Sequence, residues 1–231
     1  MKPKSKAAPP LLIRLFRAFT VWALLTILML SAWGWNRLSH FPKELPRLLL
    51  PVVWLGLSLY GAWIDTRTSA SGGKNEVRKH RWIFFLLLPV FATWFFLLPY
   101  ADHNRDLGAG ESVIRWAGLI VFAASLWLRI EAIRAQGTQF SFAVSIQFEH
   151  QLALQGPYQW VRHPAYLGVI GMFCGISWVF ARFGLGIILA LLVWLWMELR
   201  IRDEERLLQN EFGGAYIQYR QKTAKLLPHL Y

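Results

Sequence analysis

The sequence predicts an all-α polytopic transmembrane protein of about six spans. Three observations lead there. The 231 residues are 55% hydrophobic and 16% aromatic, too apolar for a soluble chain of this size. The apolar residues gather into runs of about 18 or more with almost no charge, the length that crosses a bilayer. None of the runs alternates as barrel strands do, so backbone hydrogen bonds within the membrane must close inside helices.

Taken in order, the expected spans are Leu11–Trp35, Leu48–Ile64, Trp82–Pro99, Val113–Ile133, Ala165–Phe180 and Leu185–Leu199. The first follows a basic start, MKPKSKAAPPLLIRLFR; its length and lack of a small-residue cleavage site read as a retained signal-anchor. Pro89 and Pro99 mark a kink and a helix end in the third. The fifth and sixth are short, about 16 residues each, and only ARFG (181–184) joins them. They read as a close-packed antiparallel hairpin, with Gly171 and Gly175 as a small-xxx-small face. Trp33, Trp35, Trp82, Tyr100, Trp116 and Trp178 lie near span ends and are expected in the interfacial belt.

The formal net charge is +12, but the Lys and Arg residues sit in loops between apolar runs, where they set topology and meet anionic headgroups. No basic face interleaved with stacking aromatics supports nucleic-acid binding. Basic residues are dense in the N-terminal tail, in 66–81 and after the sixth span, whereas 101–111 is acidic on balance. Both termini are therefore expected in the cytoplasm, with 134–164 and 200–231 on that same side; in a bacterium this would be the inner membrane. The single cysteine, Cys174, reads as a packed hydrophobe, and no Cys/His cluster suggests a metal site. The chain divides into N-terminal membrane helices (1–110) and a C-terminal core (111–231) holding the hairpin 165–199 and a cytoplasmic tail.

Two polar stretches flank that hairpin. Residues 156–168, GPYQWVRHPAYLG, place Arg162, His163 and Tyr166 at its mouth; Pro164, lacking an N–H, suits a helix start, and Gly168 permits close approach of a ligand or a helix. In 196–220, WMELRIRDEERLLQNEFGGAYIQYR, the last membrane helix continues past the interface and becomes charged. Arg200 and Glu204 are four apart and share a face, while Glu205 points about 100° away. Gly213-Gly214 ends the helix, and Tyr216 and Tyr219 are expected to pack the tail onto the membrane face. The short hairpin returns both stretches to one membrane face, where a pocket open to lipid and water suits a reaction between a soluble cofactor and a lipid-dissolved acceptor.

The order of these elements resembles the isoprenylcysteine carboxyl methyltransferase and phospholipid methyltransferase superfamily of integral membrane enzymes. The matching residues are His150-Gln151-Leu152, Gly156-Pro157-Tyr158, Arg162-His163-Pro164-Ala165-Tyr166-Leu167-Gly168, Glu204-Glu205, Phe212-Gly213-Gly214-Ala215-Tyr216, Tyr219 and Pro228. They cover about residues 130–230. The resemblance implies S-adenosyl-L-methionine as cofactor, held by His150, Leu152, Tyr158, His163, Pro164, Tyr166 and Glu204, with Arg162, Gly168 and Glu205 at the same pocket. It also implies Arg200 near the substrate, as the catalytic residue. Ala153 and Leu154 depart from the small or hydroxyl residues usual after the His-x-Leu element. The acceptor expected is lipophilic or membrane-borne: an isoprenylcysteine-like carboxylate, a phospholipid amine or a thiol. Two other readings stay open, a nicotinamide-dependent membrane reductase like the sterol reductases and a non-enzymatic membrane scaffold.

Overall fold

Seven helices account for most of the described residues, which are 10–34, 44–64, 75–77, 94–102, 109–140, 144–146 and 151–227 of a computed structural model. They are α1 (Leu11–Trp33), α2 (Leu45–Ile64), α3 (residues 94–102), α4 (Ala109–Gln136), α5 (Pro164–Val179), α6 (Phe183–Phe212) and α7 (Gly214–Lys222). A short antiparallel ladder, β1 (Asn75–Val77) on β2 (Val144–Ile146), departs from the all-α expectation.

Among the described residues four helices are long and apolar enough to cross a membrane: Leu11–Trp33, Leu45–Trp63, Ser112–Gln136 and Phe183–Phe212. Helix α5 is shorter, at 16 residues. The expected third span lies mostly outside the described residues, which begin again at 94. The expected sixth span, Leu185–Leu199, lies within a 30-residue helix that runs to Phe212 before Gly213 stops it with φ +52, a backbone state open to glycine.

The centre of the fold is the α4–α5 seam, where the two antiparallel helices touch backbone to backbone. A Cβ built at Gly175 would lie 2.5 Å from the Phe122 nitrogen and 2.7 Å from the Gly118 oxygen. At Gly168 it would lie 2.7 Å from the Ser125 oxygen, and at Gly171 it would collide with Ser125 Oγ. The small-residue face expected inside the α5–α6 hairpin is therefore turned onto α4. Helix α6 instead meets α5 through Val193, Trp196 and Met197 against Tyr166, Val169, Ile170 and Phe173, and through Gly186 against Ser177. Gly168 admits the close approach of α4.

At the far end of the seam a polar knot is buried. Arg115 donates to Asp102 Oδ1 (2.7 Å), Asp102 Oδ2 (2.8 Å) and the Val179 carbonyl (2.6 Å). Arg47 adds a longer contact to Asp102 (3.4 Å), and Arg182 donates to the Ala101 carbonyl. The bidentate pair matches planar guanidinium to carboxylate, which suits a fully buried site. Trp33, expected in the belt, is instead buried beneath the Arg47 guanidinium, 4.5 Å away. Its polar neighbour is the knot and not the headgroups. Tyr100 and Trp116 are exposed, as belt residues are; Trp35 and Trp82 lie outside the described residues.

Candidate functional site

At the opposite pole, the C-terminal end of α4, the start of α5 and the charged half of α6 converge. The chain enters through 151–155 and a 3-10 turn, Gly156–Gln159. His163 is the N-cap of α5 and Pro164 opens the helix, where its missing N–H costs nothing. His163 has φ −126 and ψ 56, outside the helical region, as the residue before proline tends to be. That backbone geometry turns its imidazole inward, 2% exposed, stacked on the Tyr166 ring at 5.7 Å.

The two adjacent glutamates have separate surroundings. Glu205 Oε1 receives Arg162 Nε at 2.9 Å and faces His163 Nε2 at 3.3 Å. Glu204 Oε2 accepts from the Tyr166 hydroxyl at 2.7 Å and lies 4.0 Å from His163 Nδ1. The Glu204 side chain is 25% exposed, against 14% for Glu205. Glu205 Oε1 thus has two cationic or imidazole partners from the protein, whereas Glu204 is the more exposed of the two side chains. Arg200, one turn earlier, sets its guanidinium 5.8 Å from the Tyr166 ring centroid and 5.9 Å from that of Trp196. Arg200 and Glu204 do share a face, and Tyr166 is the residue both meet.

Tyr158 is buried in the 3-10 turn, packed with Ala132 and Ala165. Burial, then the nearby Glu204 charge, push its phenol well above the ordinary value and keep it neutral. Leu152 is half-buried and Ala153 joins the same small cluster. His150 lies outside the described residues.

Behind the pocket, the tail is tied to the site. Tyr219 donates to the Tyr158 carbonyl at 2.8 Å, and burial raises its phenol to about 12 against the lowering effect of Arg162. Tyr216 is buried. Both tyrosines pack the tail onto the protein. Residues 223–226 then run alongside 160–163, with Val161 and Ala224 in a parallel bridge. The Arg162 and His163 amides donate to the Ala224 and Lys225 carbonyls at 2.9 and 3.2 Å, and the Ala224 amide donates to Trp160. Arg162 also donates to the Arg220 and Thr223 carbonyls.

Sequence reasoning missed Arg129. It donates to the Ala165 carbonyl at 3.1 Å and lies within electrostatic reach of Tyr166, Arg200 and Tyr158. An arginine inside the expected fourth span was the signal, since intramembrane charges face protein and mark function.

Comparisons with known proteins identify the family. A family model described as Phospholipid methyltransferase matches residues 113–215, which hold both glutamates and the Arg162–Gly168 run. Protein-S-isoprenylcysteine O-methyltransferase A of Arabidopsis thaliana is 30% identical over 194 residues, covering 80% of this chain and 93% of that one. The chain belongs to the isoprenylcysteine carboxyl methyltransferase and phospholipid methyltransferase superfamily. Another member, Protein-S-isoprenylcysteine O-methyltransferase of Schizosaccharomyces pombe, is 31% identical over 119 residues, 51% of this chain. This chain spans about half the length of several such relatives, 50% of the fission-yeast protein and 41% of the rat one. The fold is that of a solved eukaryotic intramembrane Ras methyltransferase, isoprenylcysteine carboxyl methyltransferase, with a TM-score of 0.53, 17% identity, and coverage of 95% of this chain and 85% of that one. With its apolar helices, the superfamily member is an integral membrane protein.

Proposed function

We propose that this chain is an integral membrane methyltransferase that uses S-adenosyl-L-methionine and methylates a lipophilic or membrane-borne acceptor. The carrying observation is the meeting of His163, Tyr166, Arg200 and Glu204 at one pole in a member of this superfamily. The chemistry of the side chains fits the cofactor. Its ammonium needs a carboxylate, for which Glu204, with its side chain 25% exposed, is the candidate; its carboxylate needs a donor, for which the neutral Tyr158 phenol is the candidate, and the His163 ring walls the same pocket. Leu152, Pro164 and Tyr166 complete the wall in this reading, while Arg162 and Glu205 brace it from behind; His150 is carried over as a cofactor contact from the family pattern alone. When bound, the cofactor supplies a sulfonium methyl whose transfer neutralises charge, favoured where water is excluded.

Acceptor choice follows from two guanidiniums at this pole, Arg200 beside the Tyr166 ring and Arg129 on the Ala165 carbonyl within electrostatic reach of both. They favour an anionic acceptor such as a carboxylate, which needs no general base. An amine would first have to lose a proton, and the His163 Nε2 already faces Glu205 at 3.3 Å. In-line alignment supplies most of the acceleration in such a site, on the order of 7–11 kcal/mol in favourable cases. The proposed topology has six crossings with both termini and the pocket on the cytoplasmic side, and the core within 111–231.

Purified protein in detergent is expected to melt at a higher temperature with S-adenosylmethionine or its demethylated product and to transfer radiolabelled methyl into lipid extracts. Stabilisation by a nicotinamide dinucleotide instead would revive the reductive reading; stabilisation by neither would leave the scaffold.

A further inference from the structure

We propose that Lys225 and Glu198 form a latch that docks the C-terminal strap, residues 223–226, and thereby positions His163 and Tyr158 for cofactor binding. The inference rests on the methyltransferase reading for its functional half.

Glu198 is the motivating residue. It sits on α6 ahead of the proposed pocket residues, 4% exposed, in a stretch that otherwise packs Trp196, Met197 and Ile201. A carboxylate there costs desolvation, and an apolar residue of similar size would suit the helix better. Its place is explained by what it holds. Lys225 Nζ reaches both carboxylate oxygens, Oε1 at 2.6 Å and Oε2 at 2.8 Å, and Arg202 Nε adds 3.0 Å to Oε1. Lys225 comes from 27 residues further along the chain and its side chain is only 15% exposed. The pair is therefore screened far less than a surface one.

The latch acts on the site through backbone. The strap's carbonyls at Ala224 and Lys225 receive the Arg162 and His163 amides, and its Leu226 is buried beside them. Those two amides lie immediately before α5, where no helical carbonyl is available to them. With the strap displaced, both lose their partners and the N-cap conformation that aims the His163 imidazole is no longer fixed. The Arg162 side chain, braced between Glu205 and the Thr223 carbonyl, loosens as well. Tyr158 follows because Tyr219, at the end of the strap's helix, holds its carbonyl. Lys225 and Glu198 touch neither cofactor nor acceptor in this account; they are positioning residues.

The test compares full-length wild type with Lys225→Met, Lys225→Arg and the exchange Glu198→Lys/Lys225→Glu. In Lys225→Met, amide hydrogen exchange across 160–163 is expected to rise about tenfold or more, while α4 and the middle of α5 stay protected. The Kd for S-adenosylhomocysteine is expected to rise about tenfold, and Lys225→Arg to restore both. Unchanged exchange at 160–163 in Lys225→Met overturns the latch, whatever the protein binds. Raised exchange with an unchanged Kd overturns its role in positioning. If wild type binds no S-adenosylhomocysteine, the methyltransferase reading fails, and the exchange measurement still decides whether the strap is latched. Should Lys225→Met not purify, the exchange variant decides: recovery of folded protein with protected 160–163 supports the latch, and failure of it while Lys225→Arg behaves as wild type refutes it.

Discussion

Gly175→Ala tests the seam that sets the whole site. The new Cβ would stand 2.5 Å from the Phe122 nitrogen, 2.7 Å from the Gly118 oxygen and 2.8 Å from the Phe122 Cα. Carbon atoms prefer about 3.5–4.0 Å, so α4 and α5 must part locally by roughly 1 Å. All three obstacles are backbone and cannot rotate away. Overpacking costs typically 1–3 kcal/mol; this site belongs at the upper end, near 3. Alanine recovers up to about 1 kcal/mol of helix propensity. The net is about 2 kcal/mol, or a fall in Tm of roughly 4–8 °C on the scale for chains of this length. Gly56→Ala is the control, since nothing lies within 4 Å of its Cβ; it is expected to melt at or slightly above wild type. The assay is thermal denaturation in detergent. A Gly175→Ala protein melting within about 1 °C of wild type would refute the seam as described.

Three further outcomes are expected. Arg115→Met leaves Asp102 buried against Arg47 alone and should destabilise by about 3–5 kcal/mol, read as lost thermal stability or lost folded yield. Tyr219→Phe removes the donor to the Tyr158 carbonyl and should cost about 1 kcal/mol, seen as a small fall in Tm. Arg129→Lys keeps charge but loses the planar fork that reaches the Ala165 carbonyl; steady-state kinetics should show a raised KM for an anionic acceptor and an unchanged one for the methyl donor.

Local signals in the sequence were read well, partnerships less so. Pro164 announced the start of α5, and Gly213 the end of α6, because both act through their own backbone. The shared face of Arg200 and Glu204 followed from helical spacing, and the structure gives them a common neighbour in Tyr166. Gly171 and Gly175 show the limit. A small-residue pattern says that another backbone comes close, not which one, and the helix that comes close is α4. Trp33 fails similarly: position near a span end predicts an interfacial ring, but Arg47, beyond the next loop, supplies a polar partner inside the protein. The strap is the least legible feature. Residues 223–226 have no periodicity, and their pairing with 160–163 and of Lys225 with Glu198 joins segments distant in the chain. Arg129 was visible but unassigned, since its partner is a carbonyl, which spacing cannot point to.

The central claim is that the pole carrying His163 and Glu204 encloses a sulfonium methyl donor. Isothermal titration of S-adenosylhomocysteine into wild type and into Glu204→Gln, with matched melting curves, tests it most directly. Saturable binding to wild type that is lost or weakened at least tenfold in the folded variant is the expected result. Equal affinity in both proteins, or no heat from either, would contradict it.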